Sequence, residues 1–333
     1  MKKIINCPEN FVNEVIEGIL IAHPDKLRAV SEDKRSLVRL NSPIPGKVAI
    51  ATGGGSGHLP IFLGYVGTGL ADGVAVGNVF SSPTPAQMLA VTNAINGGAG
   101  ILYLYGNYQG DTLNFDMAAE MARLEGIQVE TVLVSDDIAS APRNKWKTRR
   151  GVAGLFFAYK IAGACAEEGA NLQTVKRVAE KVVENTCSMG VALSPCIVPE
   201  AGRPGFHLGD DEMEIGMGIH GERGVRRGQL QTADEITTTL IESIIDDLPF
   251  TKGDSVAILV NGLGATPKEE LYIMYRKASE ILSKAEINIS RKFVGEYATS
   301  MEMAGASISL LRLDKELIKL LDAEADSPFY SNP

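Results

Sequence analysis

The sequence has little of several features that mark particular classes of protein. Its four cysteines include no CxxC pair and none at the histidine spacing of a zinc site, so we expect free thiols in a reducing compartment and no metal. No apolar run reaches the ~18 residues that a membrane-spanning helix needs. Glu9 and Asn10 interrupt the first apolar run before a signal-peptide core forms. These absences predict a cytoplasmic protein.

Positive charge is also scarce. Lys and Arg total 32 against 41 Asp and Glu, which gives a formal net charge of −9. Because basic side chains supply most of the affinity for phosphate backbones and anionic lipids, direct binding to nucleic acid or to a membrane is not expected. What the chain does have is an ordinary hydrophobic share of 45% and 35 glycines among 333 residues, more than the usual ~7%. The length predicts about two domains.

Short apolar runs alternate with segments of helical periodicity in the first half of the chain. This alternation is typical of a parallel sheet covered by helices, because parallel neighbours need a crossover connection. Strands are predicted over 48–52, 73–76, 101–105 and 129–135, and helices over 84–96, 112–125, 152–168 and 172–186.

A second α/β block begins near Cys187. Strands are predicted over 190–194, 212–217, 256–260, 289–294 and 308–313, and helices over 233–247, 268–285 and 314–321. Thr266 and Pro267 are expected to cap and to begin the middle helix. We therefore expect an α/β fold of two domains with mainly parallel or mixed sheets covered by helices. The N-terminal domain spans 1–185 and the C-terminal domain 186–333, with the option that the chain end packs back on the first.

A glycine-rich segment, Gly-Gly-Gly-Ser-Gly-His over 53–58, directly follows the first predicted strand. Glycine lets the main chain adopt positive φ and approach a small ligand, and consecutive N–H groups can cradle an anion or a hydroxyl. The segment matches neither a Walker A loop nor GxGxxG, so we expect no cofactor. A purely structural turn is the alternative. His58 favours a ligand site, because open α/β sheets bind ligands at the carboxyl ends of their strands.

Two further segments carry residues with acid–base or nucleophilic capacity. Asp111 follows the third predicted strand and has two compatible roles, as N-cap of the next helix or in contact and proton exchange with a substrate hydroxyl. His220 lies between glycines after an apolar run, where its ring is expected to be accessible, and a neutral imidazole can attack a carbonyl carbon. His23 and His207 belong to no motif.

Taken in order, these segments resemble the dihydroxyacetone kinase K-subunit family. The matching stretches span nearly the whole chain and are 53–58, 82–85 (Ser-Pro-Thr-Pro), 107–115 (Asn-Tyr-x-Gly-Asp-x-Leu-Asn-Phe), 150–154 (Arg-Gly-Val-Ala-Gly), 218–220 (Gly-Ile-His) and 261–267. The resemblance implies two α/β domains, a homodimer, and a hemiaminal bond from a histidine to the carbonyl carbon of dihydroxyacetone.

The resemblance also assigns roles to particular residues. By motif, His220 is the histidine that forms the covalent bond. His58 and Asp111 match the acid–base pair, with Asp111 also in contact with a substrate hydroxyl. The implied substrate-binding set is Gly55, Ser56, Gly57, His58, Gly106, Asp111 and His220.

Two positions depart from the family pattern. Gly106 stands where the kinases resemble one another in a lysine before Asn-Tyr, and Leu59 stands where they usually carry a polar or charged residue. A lysine ammonium near the substrate would stabilise a phosphoryl group in transfer. The covalent set is thus kept while the phosphoryl-transfer set is damaged. This combination is similar to the DhaQ-type coactivator, which binds dihydroxyacetone and works with a TetR-family transcription factor that switches on the kinase operon.

The sequence therefore predicts a dihydroxyacetone sensor without turnover whose partner is a TetR-family regulator. The alternative is the dihydroxyacetone-binding K subunit of a phosphotransferase-dependent kinase, with a nucleotide-binding subunit as partner and another group in place of the missing lysine. A general α/β sugar-phosphate enzyme is a third hypothesis, which we disfavour because six ordered motifs would not recur by chance.

Overall fold

The computed structural model describes residues 2–333, which divide into two compact units. Unit 1 comprises the described residues up to Val134 with Leu155–Val182 and Leu317–Pro333, and unit 2 comprises Ser135–Gly154 and Val183–Glu316. The chain passes from one unit to the other at four points, and one of them lies close to the boundary expected at 185. Return of the chain end to the first unit was foreseen as an option, whereas assignment of 135–154 to the second unit was not.

Unit 1 is built on a six-stranded sheet in the order β1-β2-β4-β3-β5-β6. The strands are β1 (Leu27–Ala29), β2 (Ser36–Arg39), β3 (Ala49–Ser56), β4 (Gly73–Val79), β5 (Ile101–Gly106) and β6 (Val129–Val134). Strands β3 to β6 pair in parallel, whereas β1 and β2 add an antiparallel edge. The four predicted strands are confirmed. The two edge strands were missed because three or four residues are too few for a periodic pattern.

Unit 2 contains a second six-stranded sheet in the order β11-β10-β12-β7-β8-β9. The strands are β7 (Thr186–Ser194), β8 (Glu212–Ile215), β9 (Arg226–Gln229), β10 (Ser255–Gly262), β11 (Asn288–Gly295) and β12 (Ala304–Leu313). Strands β10 and β11 pair in parallel and the other neighbours pair antiparallel, so this sheet is mixed. The expected α/β fold with mixed sheets is confirmed. A two-strand ladder, β13 (Ala325–Asp326) with β14 (Ser331–Asn332), lies near the end of the chain in unit 1.

Helices cover the two sheets, and their sequences explain where several of them begin. The helices are α1 (Phe11–Ala22), α2 (Pro85–Ile95), α3 (Gln109–Leu124), α4 (Leu155–Glu167), α5 (Leu172–Glu184), α6 (Ala233–Asp247), α7 (Lys268–Lys284) and α8 (Lys315–Asp322). Capping boxes start two of them, with Thr84 and Gln87 at α2 and with Thr232 and Glu235 at α6. No helix within residues 2–333 combines the length and the hydropathy needed to cross a membrane.

The core of unit 1 shows which apolar stripe of a helix is used. Helix α3 buries Phe115, Ala118 and Ala122 against the sheet. The stripe that its periodicity indicated, which includes Met117 and Leu124, lies on the exposed face. Small residues on the inner face let α3 approach the sheet closely, a choice that spacing alone does not reveal.

Thr266 does not cap the helix that follows β10. Helix α7 begins at Lys268 with Pro267 in the N-cap position and without a side-chain cap. The Thr266 hydroxyl instead donates to the Gly305 carbonyl at 2.7 Å and accepts the Gly305 N–H at 2.8 Å. The N-cap prediction was wrong because a contact with β12 occupies the hydroxyl.

The four cysteines are free thiols, as expected from their spacing. Cys165, Cys187 and Cys196 are buried, whereas Cys7 is partly exposed. Burial, the charge of Asp247 and a hydrogen bond to it raise the pKa of Cys187 to about 12, so this thiol stays protonated and unreactive.

A buried ionic cluster connects strands of unit 1. Both carboxylate oxygens of Asp72 accept hydrogen bonds from the Lys47 ammonium, at 2.8 and 2.7 Å, and one also accepts the Ile50 N–H at 2.8 Å. Arg39 Nε lies 3.1 Å from Asp72, and Arg39 also pairs with Glu167. Arg39, Lys47 and Asp72 are each at most 7% exposed. The cluster therefore holds two positive and two negative charges with little access to water.

Candidate functional site

The glycine-rich segment belongs to strand β3 as far as the last residue of that strand. A Cβ on Gly54 would lie 2.4 Å from the Phe62 ring, and one on Gly55 would lie 2.6 Å from the main-chain nitrogen of Ser81. These distances are shorter than a carbon contact allows, so close packing requires glycine at both positions. Among the four glycines of the segment, only Gly57 has a positive φ, of 101°. The expected left-handed conformation therefore applies to Gly57 alone.

His58 lies two residues after β3 and is 1% exposed. Its ring stacks on Phe80, with centroids 4.8 Å apart and planes 18° apart, and meets Phe62 edge-on at 6.2 Å. The Ser56 hydroxyl donates to the Gly77 carbonyl at 2.9 Å, which ties the end of β3 to β4. The aromatic contacts fix the plane of the imidazole. A ring held in this way can exchange a proton in one defined direction.

Asp111 lies at the same edge of the sheet as His58, because β3 and β5 are parallel neighbours. Gly106 is the last residue of β5 and pairs with Val134. Helix α3 starts at Gln109 with Tyr108 as its N-cap, so Asp111 is inside the first turn and the N-cap prediction was wrong. Asp111 is 7% exposed. The positive end of the helix dipole favours a carboxylate at this position.

Two tyrosines surround the Asp111 side of unit 1. Burial raises the pKa of Tyr105 and of Tyr159, and the Asp111 carboxylate raises both further, with Asp116 adding to the effect on Tyr105. The Tyr159 hydroxyl lies 2.7 Å from Thr52 Oγ1, at the end of β3 that precedes the glycines. Both phenols therefore remain neutral and can donate hydrogen bonds near Asp111.

His220 lies in a tight turn of unit 2 after β8. The Gly218 N–H donates to the Glu222 carbonyl at 2.9 Å, and the Gly221 N–H donates to the Gly218 carbonyl at 3.0 Å. Ser300 donates its hydroxyl to the Ile219 carbonyl, which holds the turn against the sheet. The imidazole is 23% exposed. The turn thus presents a partly accessible ring on a fixed main chain, as its flanking glycines indicated.

A carboxylate grips His220 at two points. Glu222 Oε1 lies 3.0 Å from His220 Nδ1, and Glu222 Oε2 accepts the His220 main-chain N–H at 3.0 Å. Burial alone would raise the pKa of Glu222. The hydrogen bond and charge of His220, with the Arg150 guanidinium 3.8 Å away, lower it instead to about 2. Glu222 is therefore ionised at physiological pH.

Arg150 connects this carboxylate to a buried one. Its guanidinium lies 2.7 Å from Asp137, whose side chain is 5% exposed. Burial raises the pKa of Asp137 to about 6, although Arg150 lowers it, and the neighbouring Asp136 charge adds to the increase. Four charged or chargeable side chains thus form a row: His220, Glu222, Arg150 and Asp137.

The raised pKa of Asp137 makes a prediction about stability. Because the folded protein binds this proton more tightly than the unfolded chain, the contribution of Asp137 to stability is present below pH 4 and decreases as pH rises through about 6. The change is about 3 kcal/mol, from 1.36 kcal/mol for each pKa unit. We expect Asp137→Asn to gain stability relative to the parent as pH rises from 4 to 7, measured as melting temperatures. Asp234→Asn, which removes a surface acid, is the control, and parallel curves for parent and Asp137→Asn would refute the assignment.

The structure places the predicted site residues in two groups. Six of them, from Gly55 to Asp111, lie at the carboxyl edge of the unit 1 sheet, and His220 lies in unit 2. Sequence reasoning gave no role to Phe80, Glu222 or Arg150. An acid two residues after a candidate histidine is a signal that could have identified Glu222, whereas Arg150 is distant from it in sequence.

These features define an α/β ligand-binding protein with a buried acid–base pair in one unit and a carboxylate-oriented histidine in the other. The chain belongs to the Dak1 domain family, whose model matches residues 17–329. It is 44% identical over 330 residues to the dihydroxyacetone-binding subunit DhaK of PTS-dependent dihydroxyacetone kinase 2 from Listeria innocua, and the match covers 99% of each chain.

Two solved structures share the fold over nearly the whole chain. The dihydroxyacetone kinase from C. freundii, in complex with AMP-PNP and Mg²⁺, is 34% identical with a TM-score of 0.91. That match covers 100% of this chain but only 61% of the longer kinase. The dihydroxyacetone kinase operon co-activator Dha-DhaQ is 30% identical with a TM-score of 0.88, and the match covers 95% of this chain and 97% of that one.

Proposed function

We propose that the chain captures dihydroxyacetone as a hemiaminal between Nε2 of His220 and the ketone carbon. The observation that carries this proposal is the carboxylate grip, in which Glu222 binds Nδ1 of a partly exposed imidazole. A ring that donates from Nδ1 keeps its lone pair on Nε2, which is the nucleophilic form. Covalent capture also explains how such a site distinguishes a ketone from glycerol, because glycerol has similar hydroxyls but no electrophilic carbon.

The proton transfers that capture requires are proposed for His58 and Asp111. Each is buried, and each is held at the carboxyl edge of the unit 1 sheet by packing or by the start of a helix. The proposed roles are a proton for the new hydroxyl and a hydrogen bond to a terminal hydroxyl of the ketone. Gly55, Ser56 and Gly57 supply main-chain donors for the same small ligand.

Conservative substitutions test these two residues. Each should remove a hydrogen bond worth about 1–3 kcal/mol, so His58→Asn and Asp111→Asn are expected to weaken dihydroxyacetone binding by roughly 5- to 150-fold in calorimetry. Asp116→Asn changes the same charge on the exposed side of α3 and serves as the matched control. Affinities within twofold of the parent would leave both residues with structural roles only.

We further propose that the chain acts as the ketone-binding subunit of a kinase whose phosphoryl-carrying part is a separate protein. The support is similarity over full length, at 44% identity to a dihydroxyacetone-binding kinase subunit against 30% to the co-activator. The partners proposed are the ketone, a nucleotide-binding subunit and a second copy of this chain.

The second candidate is the sensor that the sequence alone favours. Gly106 carries no ammonium at the end of β5, and the loss of a positioned electrostatic donor typically lowers turnover by ~10²–10³. In this candidate the partner is a TetR-family regulator, which must bind the ketone-loaded and the empty form with different affinity.

Phosphate transfer to dihydroxyacetone with purified phosphoryl-carrying subunits distinguishes the two candidates. We expect the parent chain to support turnover and Gly106→Lys to change it little. A parent without turnover that gains it as Gly106→Lys, together with ketone-dependent binding to the regulator, would establish the sensor instead. Both outcomes leave covalent capture in place, since it is common to the two candidates.

A further inference from the structure

The contact between Glu222 and His220 uses both carboxylate oxygens for different donors. Oε2 accepts the main-chain N–H of His220, and Oε1 faces ring atom Nδ1, each at 3.0 Å. Arg150 approaches Oε2, with Nη1 3.8 Å away, and its other end is held by Asp137. The main chain and the guanidinium therefore fix the carboxylate, and the carboxylate in turn fixes the ring.

We infer that Glu222 is a positioning residue that holds His220 as the Nδ1–H tautomer, so that Nε2 presents its lone pair to the ketone. This inference rests on the proposed capture by His220. An ionised carboxylate has no proton to donate, so Nδ1 must be the donor in this contact. The neutral imidazole then carries its only other nitrogen unprotonated, at Nε2.

Glu222 also matches the charge that capture creates. The Nε2 lone pair forms the bond to the carbonyl carbon, and the C=O π pair moves to oxygen, which takes a proton from His58 or Asp111. The proton on Nδ1 stays in place, so the alkylated ring becomes a cation. Glu222 stays ionised beside it and neutralises the new charge, which stabilises the adduct more than the free ring.

The isosteric amide makes a sharp test because the two oxygens are not equivalent. In Glu222→Gln, the amide oxygen must face the main-chain N–H and Arg150, since both can only donate. The NH₂ group is then left facing Nδ1, which must become an acceptor. The ring is forced into the Nε2–H tautomer, and the lone pair needed for attack is lost from Nε2.

The tautomer can be measured without any ketone. In protein labelled with ¹⁵N-histidine, long-range ¹H–¹⁵N spectra separate protonated from unprotonated ring nitrogens, and with four histidines in the chain a His220→Ala sample assigns the relevant signals. We expect the proton on Nδ1 in the parent and on Nε2 in Glu222→Gln. Glu280→Gln, the same change at an exposed ion pair of α7 in the same unit, should match the parent.

Capture is followed separately with dihydroxyacetone labelled with ¹³C at the carbonyl carbon. We expect a tetrahedral carbon signal in the parent that is absent from His220→Ala, and a capture equilibrium about 10- to 100-fold weaker in Glu222→Gln. Glu222→Asp, which keeps the charge, should recover part of the loss. A ring that keeps its Nδ1 proton in Glu222→Gln, or capture equal to the parent, overturns the inference. A parent without the tetrahedral signal refutes the proposed function and leaves the tautomer measurement valid.

Discussion

Replacing His220 with alanine is expected to abolish the covalent adduct with dihydroxyacetone and to weaken binding by at least about 100-fold. The ketone would keep only hydrogen bonds, which contribute about 1 kcal/mol each after exchange with water. Native mass spectrometry of the full chain, with and without ketone, measures the adduct, and calorimetry measures the affinity. His220 is partly exposed in a turn held by main-chain bonds of its neighbours, so the substitution should leave the fold intact.

His207→Ala is the matched control for this prediction. His207 is an exposed histidine in the same unit, in the loop between β7 and β8, and it belongs to none of the motifs. The control should form the adduct as the parent does. An adduct of unchanged yield in His220→Ala would transfer the covalent bond to another residue and remove the basis of the proposed function.

Replacing Asp72 with alanine is expected to cause the largest loss of stability. Lys47 and Arg39 would remain buried with only Glu167 to balance them, and breaking a buried ion pair from one side typically costs about 3–5 kcal/mol. The Ile50 N–H would also lose its acceptor in β3, the strand that carries the glycine-rich segment. We expect the melting temperature to fall by about 10 °C, measured by circular dichroism or calorimetry.

Glu17→Ala provides the comparison on the surface of the same unit. Glu17 pairs with Lys34 at 3.3 Å, but more than half of each side chain is exposed. Exposed pairs contribute little, so the melting temperature should hardly change. Equal effects of Asp72→Ala and Glu17→Ala would mean that water reaches the Asp72 cluster despite its burial.

The two sheets could largely be predicted from the sequence because their central strands are uniformly apolar. In β5, residues 101–106 are all buried, and a run of this kind indicates a strand covered on both faces. Edge strands such as β2 and β9 escaped because they are short and have basic residues at their ends. The assignment of Ser135–Gly154 to unit 2 depends on contacts such as the Val152 N–H with Asp136, at 2.8 Å, which no local pattern encodes.

The candidate site was predictable where a residue type announces its chemistry and not where geometry decides. His58, Asp111 and His220 are identified by their position after strands or between glycines. Glu222 and Arg150 carry charges that could serve anywhere on a surface, and only the fold brings them to His220. The cap predictions failed for the same reason, since Thr266 bonds to another strand and Asp111 lies inside its helix.

The role of Gly106 illustrates how far sequence alone can decide function. A missing lysine favours a sensor, because the phosphoryl group loses a positive neighbour. Similarity over the full length favours a kinase subunit, because the relative at 44% identity is a dihydroxyacetone-binding subunit of a kinase. The two arguments concern the fate of the captured ketone, and they agree on capture itself.

Covalent capture is tested most directly by a crystal structure of the full chain soaked in dihydroxyacetone. We expect continuous electron density from Nε2 of His220 to a tetrahedral carbon of the ligand, with Nδ1 still bonded to Glu222. Density for an intact, planar ketone separated from His220 by a van der Waals gap would contradict covalent capture.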